Sequence, residues 1–125
     1  MSKRILIIED NSILASVYSS TLSQAGFHVS VASDGQTGLA QLGTFAPDLI
    51  VLDLMLPKVD GLEVLRRIRA DQAHGSLPII VFSNSYTSDR TREVWNAGAT
   101  QVLVKANCPP KQLLQIVGSS LSAAD

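Results

Sequence analysis

Five short apolar runs with helix-length segments between them constrain this fold more than any other feature of the sequence. They are residues 5–8 (ILII), 28–32 (HVSVA), 49–52 (LIVL), 79–82 (IIVF) and 102–104 (VLV). Four are dense in Val, Ile and Leu with little alternation, the pattern of strands covered on both faces. The run at 28–32 alternates, so it reads as a strand nearer a sheet edge. Each intervening segment reads as a helix. Asn11 or Ser12 caps the first, whose inner face is expected at Leu14, Val17, Thr21 or Leu22, and Ala25, with Gly26 as its stop. The second runs from Asp34 to Phe45. The third opens at Asp60-Gly-Leu-Glu63, a spacing that permits an N-cap and a returning Glu, with Leu62, Leu65 and Ile68 facing in. The fourth runs from Thr87 to Ala97 and stops at Gly98. The fifth starts near Pro110, a good first-turn residue, and buries Leu113, Ile116 and Val117. This βα alternation implies an α/β, doubly wound, five-stranded parallel sheet with right-handed crossovers and helices on both faces.

Size and composition fit one domain over residues 1–125, with 118–125 expected as a frayed tail or the start of a linker. Apolar residues make up 46% and charged residues 17%, which suits a packed core and excludes a disordered chain. A net charge of −1 removes any general attraction to nucleic acid or to an anionic membrane, so neither is expected as a partner. Cys108 is the one cysteine, so no internal disulfide can form. That points to a reducing compartment, and no apolar run has the length of a membrane span. The expectation is a cytoplasmic protein.

Ligands of such sheets bind outside the carboxyl ends of the strands. There the sequence places Glu9-Asp10 after the first run, Asp53 at the end of the third, Ser83-Asn84-Ser85 after the fourth and Lys105 after the fifth. The second run ends differently, in Ser33-Asp34. Two carboxylates about 4 Å apart repel by about 4 kcal/mol at an effective dielectric of about 20. Hard oxygen ligands with an open side suit Mg²⁺, which offsets that repulsion. Lys105 adds a positive charge for an anionic ligand, and the Ser83 hydroxyl can donate to a phosphate oxygen. Asp53 is then a third metal ligand or a nucleophile that forms an aspartyl phosphate. Any one of these acids could be a solvated loop residue. The set on one rim is harder to explain so, and Leu54, Met55 and Leu56 after Asp53 do not suit a solvated loop.

These residues look like the receiver domain of two-component response regulators. The resemblance rests on ILIIED, GFHVSVASDGQTGL, PDLIVLDLMLPKVDGLEVLRRIR, LPIIVFSNS, AGA and VLVK, and covers nearly the whole chain. It implies a flavodoxin-like (βα)5 fold with strand order 2-1-3-4-5. It makes Asp53 the phospho-acceptor, Asp10 a direct Mg²⁺ ligand beside Asp53, Glu9 a ligand through water, and Met55 a backbone carbonyl ligand. Ser83 becomes the switch hydroxyl, Lys105 the phosphate-binding lysine, and Pro57 and Gly61 the turn that carries the loop. The implied activity is a phosphorylation-dependent switch, catalysing only its own phosphotransfer and dephosphorylation. The implied donor is a histidine kinase or phosphotransfer protein. The implied receiver of the signal is a downstream protein, a fused output domain, or a second copy in a phosphorylation-dependent dimer, bound at the helix 4–strand 5–helix 5 face.

Three departures from the family pattern bear on this. Val102 stands where an aromatic is usual. Ala106 stands where a proline after a cis bond is usual, and a cis bond there costs about 2.5–4 kcal/mol, so a trans Lys105–Ala106 bond is expected. The positions that tune phosphoryl lifetime are Met55 and Ser85, and Met55 has no polar group to position water. The alternative is a receiver-like docking module without phosphorylation, which the missing aromatic and proline favour and the intact acid-hydroxyl-lysine set opposes. An aspartyl hydrolase would want a second acid where Met55 stands. Trp95 is expected at the edge of the inner face of helix 4, partly exposed, forming a docking surface with Val102. Arg66, Arg67 and Arg69 read as a solvated face with Glu63 paired to Arg67, and His28 and His74 as surface residues.

Overall fold

The computed structural model describes residues 2–83 and 88–124. Its strands are β1 (Arg4–Ile8), β2 (His28–Ala32), β3 (Leu49–Asp53), β4 (Ile79–Ser83) and β5 (Gln101–Val104). Its helices are α1 (Ser12–Gln24), α2 (Gly35–Phe45), α3 (Gly61–Ala70), α4 (Ser88–Asn96) and α5 (Pro110–Ala124). All the strand pairs are parallel, in the order β2-β1-β3-β4-β5. This is the doubly wound, flavodoxin-like order expected from the resemblance. Strands β3 and β4 are buried at every position, whereas the edge strand β2 is buried only at Ala32. Continuous and alternating apolar runs thus mark centre and edge as expected.

Side chains leave the sheet alternately, so each face has its own core. One contains Leu6, Ile8, Ile50, Leu52 and Val81 packed with Leu62, Leu65, Ile68 and Val94 of α3 and α4. The other contains Ile5, Ile7, Val51, Ile80 and Phe82 packed with Tyr18, Leu22, Leu113 and Val117 of α1 and α5.

Several local expectations change. The inner face of α1 is Ala15, Tyr18 and Leu22, while Val17 is 42% exposed and Ala25 lies outside the core. Spacing from Leu14 selects Val17, but a ring at position 18 stacked on Phe82 rotates the buried stripe by one residue. Asp60 caps α3 through Leu62 N–H, yet Glu63 does not return to it: its carboxylate accepts from Arg67 Nε at 2.9 Å. The tail is no frayed end, because α5 continues to Ala124 and Leu121 packs into the second core. Small residues tolerate helix, and one leucine at the right phase anchors the last turn. Thr87, the expected start of α4, lies outside the described residues. No described helix is long and apolar enough to cross a membrane.

Candidate functional site

The carboxyl ends of β1, β3, β4 and β5 bring the rim residues together. Glu9 follows β1, and its Oε2 accepts the Asn11 N–H at 3.1 Å, while Asn11 in turn caps α1. The strand end, the acid pair and the helix start are therefore one continuous turn. Asp53 is the last residue of β3, opposite Phe82 of β4, and its Oδ1 accepts the Met55 N–H at 3.2 Å. Ser83 ends β4 opposite Val104 and is buried. Lys105 follows β5, in a single 3-10 turn over Lys105–Asn107.

Lys105 Nζ lies 3.0 Å from Glu9 Oε1 and 3.0 Å from Asp53 Oδ2. The lysine side chain is 18% exposed, and both carboxylates are nearly enclosed. Glu9, Asp10 and Asp53 each offer a carboxylate oxygen, and the three atoms fall within 4.8 Å of one another. Asp10 is exposed, so this group opens to solvent on its side. Three hard anionic oxygens around an open position suit a divalent cation that keeps several waters. Met55 lies beside the group with its side chain exposed, and its N–H holds the Asp53 carboxylate.

The charges leave two groups away from their ordinary behaviour. Burial raises the Glu9 pKa above 4.5 and nearby Asp53 adds to the shift, against the lowering effect of Asn11 N–H and Lys105. Burial alone would lower the Lys105 pKa, but its hydrogen bonds to Glu9 and Asp53 prevail and hold it above 10.5. Both shifts are upward for different reasons: burial drives that of Glu9, and the two neighbouring carboxylates drive that of Lys105.

A close backbone approach holds the loop after Asp53. Gly61 N–H donates to Leu54 O at 3.0 Å, and a Cβ on Gly61 would overlap Asp53 O and Leu54 Cα. On either side, Lys58 Nζ lies 3.7 Å from Asp34 Oδ2, and Arg90 donates to both Asp60 carboxylate oxygens at 3.3 and 3.1 Å. Lys58 adopts φ 67.

Glu9, Asp10, Asp53, Met55, Ser83 and Lys105 thus meet at one rim. The Lys105–Ala106 bond is trans, as expected, since no described peptide bond is cis. The trans bond does not displace Lys105 from the acids. Asn84 and Ser85 lie outside the described residues. Trp95 is 45% exposed, in keeping with a surface position. Its fluorescence should be readily quenched by acrylamide in the isolated protein. A blue-shifted, protected emission would place it in a core or an interface.

Val102 corrects the expected docking face. It is 6% exposed and packs in the first core with Val94, so it offers no surface beside Trp95. Strand alternation is the reason: in β5, Val102 points to the α3–α4 face and into the first core, while Leu103 points to the other face and packs against the second. Sequence reasoning also missed Tyr18, Phe82 and the ion pairs of Asp34 and Asp60. The only available signal was a lone aromatic at a helix phase compatible with burial.

The chain matches the model of the response regulator receiver domain over residues 5–118, and it belongs to that family. Among curated relatives, it is 38% identical over 102 residues to the DNA-binding dual master transcriptional regulator RpaA of Synechocystis, covering 82% of this chain and 42% of RpaA. It is 32% identical over 125 residues to the DNA-binding response regulator MtrA of Mycobacterium leprae, covering 100% of this chain and 54% of MtrA. The chain spans about half the length of these relatives. Among solved structures, the chemotaxis response regulator CheY4 of Vibrio cholerae aligns with TM-score 0.89 and 27% identity, covering 96% of this chain and 99% of that one. A putative response regulator from Chloroflexus aurantiacus aligns with TM-score 0.90 and 27% identity, covering 98% and 99%. Family membership supports a phosphorylation-dependent signalling role.

Proposed function

We propose that Asp53 accepts a phosphoryl group from a histidine kinase or phosphotransfer protein, and that the modified domain changes its affinity for an output partner. The observation that carries this reading is the Lys105 ammonium, 3.0 Å from the Asp53 carboxylate, beside a three-acid cluster that opens outward. An Asp53 carboxylate oxygen attacks phosphorus, the bond from phosphorus to the donor breaks, and the leaving group departs with its electron pair. Asp10 and Asp53 and the Met55 carbonyl would hold Mg²⁺ directly, with Glu9 acting through water. When bound, the metal neutralises charge on the transferring group. Met55 N–H fixes one Asp53 oxygen, which orients the carboxylate. Lys105 is already placed where the new phosphoryl oxygens arrive, so it can exchange a carboxylate for them with little movement. The Ser83 hydroxyl, at the end of β4, is the donor that would carry the change toward α4.

The names of RpaA and MtrA speak of DNA binding by those proteins. For this chain the corresponding proposal is an output carried by another segment or another protein and controlled through the face around α4. The test is incubation with Mg²⁺ and acetyl phosphate, read by intact mass. One added phosphoryl group is expected in the wild type, none without Mg²⁺ and none in Asp53→Asn. No gain with acetyl phosphate, phosphoramidate or a phosphorylated kinase domain would leave a docking module as the better reading.

A further inference from the structure

Beneath the rim lies an aromatic pair that the proposed chemistry does not use. Tyr18, in the second turn of α1, is 3% exposed. Its ring stacks on Phe82 with centroids 5.3 Å apart and planes 2° from parallel. Phe82 is fully buried and joins the two site strands at the point that matters. It is opposite Asp53 in the sheet register, its carbonyl accepts the Leu54 N–H at 3.1 Å, and Ser83 follows it directly. Cys108, just after the Lys105 turn, packs in the same cluster. The Tyr18 ring therefore touches the side chain whose backbone bonds to the residue after the acceptor and precedes the hydroxyl.

We propose that Tyr18 is a positioning residue: its ring, stacked on Phe82, sets the depth of the β4 end and so the spacing of Asp53, Ser83 and Lys105. This rests on the phospho-acceptor reading above. A parallel, offset pair resists sliding of either ring. Loss of the Tyr18 ring frees Phe82 to shift into the space left, and the Leu54 hydrogen bond and Ser83 move with it. Burial raises the Tyr18 pKa, Cys108 raises it further and Lys105 pulls it back. The ring makes the stacking contact, so the ring and not the hydroxyl carries the effect.

The experiment compares Tyr18→Phe, Tyr18→Ala and Leu22→Ala with the wild type, each at a temperature where it is fully folded. Leu22 lies one turn further along the same face of α1, in the same core and away from the rim. The readouts are the rate of phosphorylation by acetyl phosphate at saturating Mg²⁺ and the Kd for Mg²⁺ alone. Tyr18→Phe should keep the wild-type rate. Tyr18→Ala should lose about tenfold to a hundredfold in rate, the usual effect of a small misplacement of reacting groups, with a smaller rise in the Mg²⁺ Kd, because Glu9 and Asp10 follow β1 whereas Phe82 and Ser83 lie on β4. Leu22→Ala should lose stability but keep its rate. Equal rate losses in Tyr18→Ala and Leu22→Ala, or no loss in Tyr18→Ala, overturn the proposal, and a slow Tyr18→Phe overturns the assignment to the ring. If the wild type takes up no phosphoryl group, the functional reading falls, and positioning is read from a double-mutant cycle of Lys105→Met with Asp53→Asn. A coupling that shrinks in the Tyr18→Ala background supports it, and an unchanged coupling overturns it.

Discussion

Lys105→Met should destabilise the metal-free protein by about 3–5 kcal/mol at neutral pH, the usual cost of removing one partner from a buried ion pair. One ammonium bridges Glu9 and Asp53, both nearly enclosed, so its loss leaves two anions facing each other. Asp53→Asn should act in the opposite direction. It removes repulsion with Glu9 and Asp10 and leaves Lys105 paired to Glu9, so the metal-free protein gains stability. Denaturant unfolding in the presence of a chelator separates the two. The pH dependence follows from the shifts. The Lys105 pKa is held above 10.5 in the fold, so its contribution is complete below 10.5 and is lost as pH rises through the folded value. The Glu9 pKa is raised above 4.5, so its contribution is complete below 4.5 and is lost as pH rises through its folded value. The Lys105→Met deficit should therefore narrow on acidification toward pH 4.5 and in the double variant with Glu9→Gln. A Lys105→Met protein within about 1 kcal/mol of wild type at pH 7 would mean that the bridge is solvated and weak.

Gly61→Ala is the second large effect. The added methyl would overlap Asp53 O and Leu54 Cα, which are backbone atoms and cannot rotate away. The α3 start must retreat from the β3 end, straining the Gly61–Leu54 hydrogen bond. Overpacking of this kind costs about 1–3 kcal/mol. The displaced loop also carries Met55, so Mg²⁺ affinity should fall with stability. Thermal unfolding with and without Mg²⁺ reads both. A Gly61→Ala protein with unchanged Tm and unchanged Mg²⁺ response would show that the loop has slack there.

Much of the architecture was legible because burial on both faces leaves an unbroken apolar run, and four of the five strands carry one. The rim was legible for a related reason. A carboxylate such as Asp53 at the end of a greasy strand conflicts locally with burial, and such conflicts collect at sites. The α1 face was misread because apolar residues at 14 and 17 start a plausible stripe, and only the Phe82 ring across the core favours Tyr18 over Val17. Val102 was misplaced because a missing aromatic draws attention to its position, while the pleat of β5 decides its direction. The Asp34 and Asp60 pairs join residues 24 and 30 apart in sequence, as Lys58 is to Asp34 and Arg90 to Asp60, and nothing local announces them.

Arg69 gives α4 an unusual mechanical character. Its guanidinium donates to Gly98 O at 2.8 Å and to His74 O at 3.0 Å, which fastens the turn after α4 to the end of α3. Near the other end of α4, among the described residues, Arg90 pairs with Asp60, and both side chains are more than a third exposed. The helix can therefore act as a lever with its fulcrum at Gly98 and an exposed ion pair at Arg90, beside the loop after Asp53. Its nine residues span about 13 Å at 1.5 Å each, so a tilt of about 10° would carry the tip about 2 Å. Salt weakens an exposed ion pair more than a half-buried guanidinium–carbonyl clamp. Ionic strength thus acts on the Arg90 contact far more than on the pivot, and sets how small a push at the rim is enough to swing the start of α4, while Trp95, one turn from Gly98, moves least.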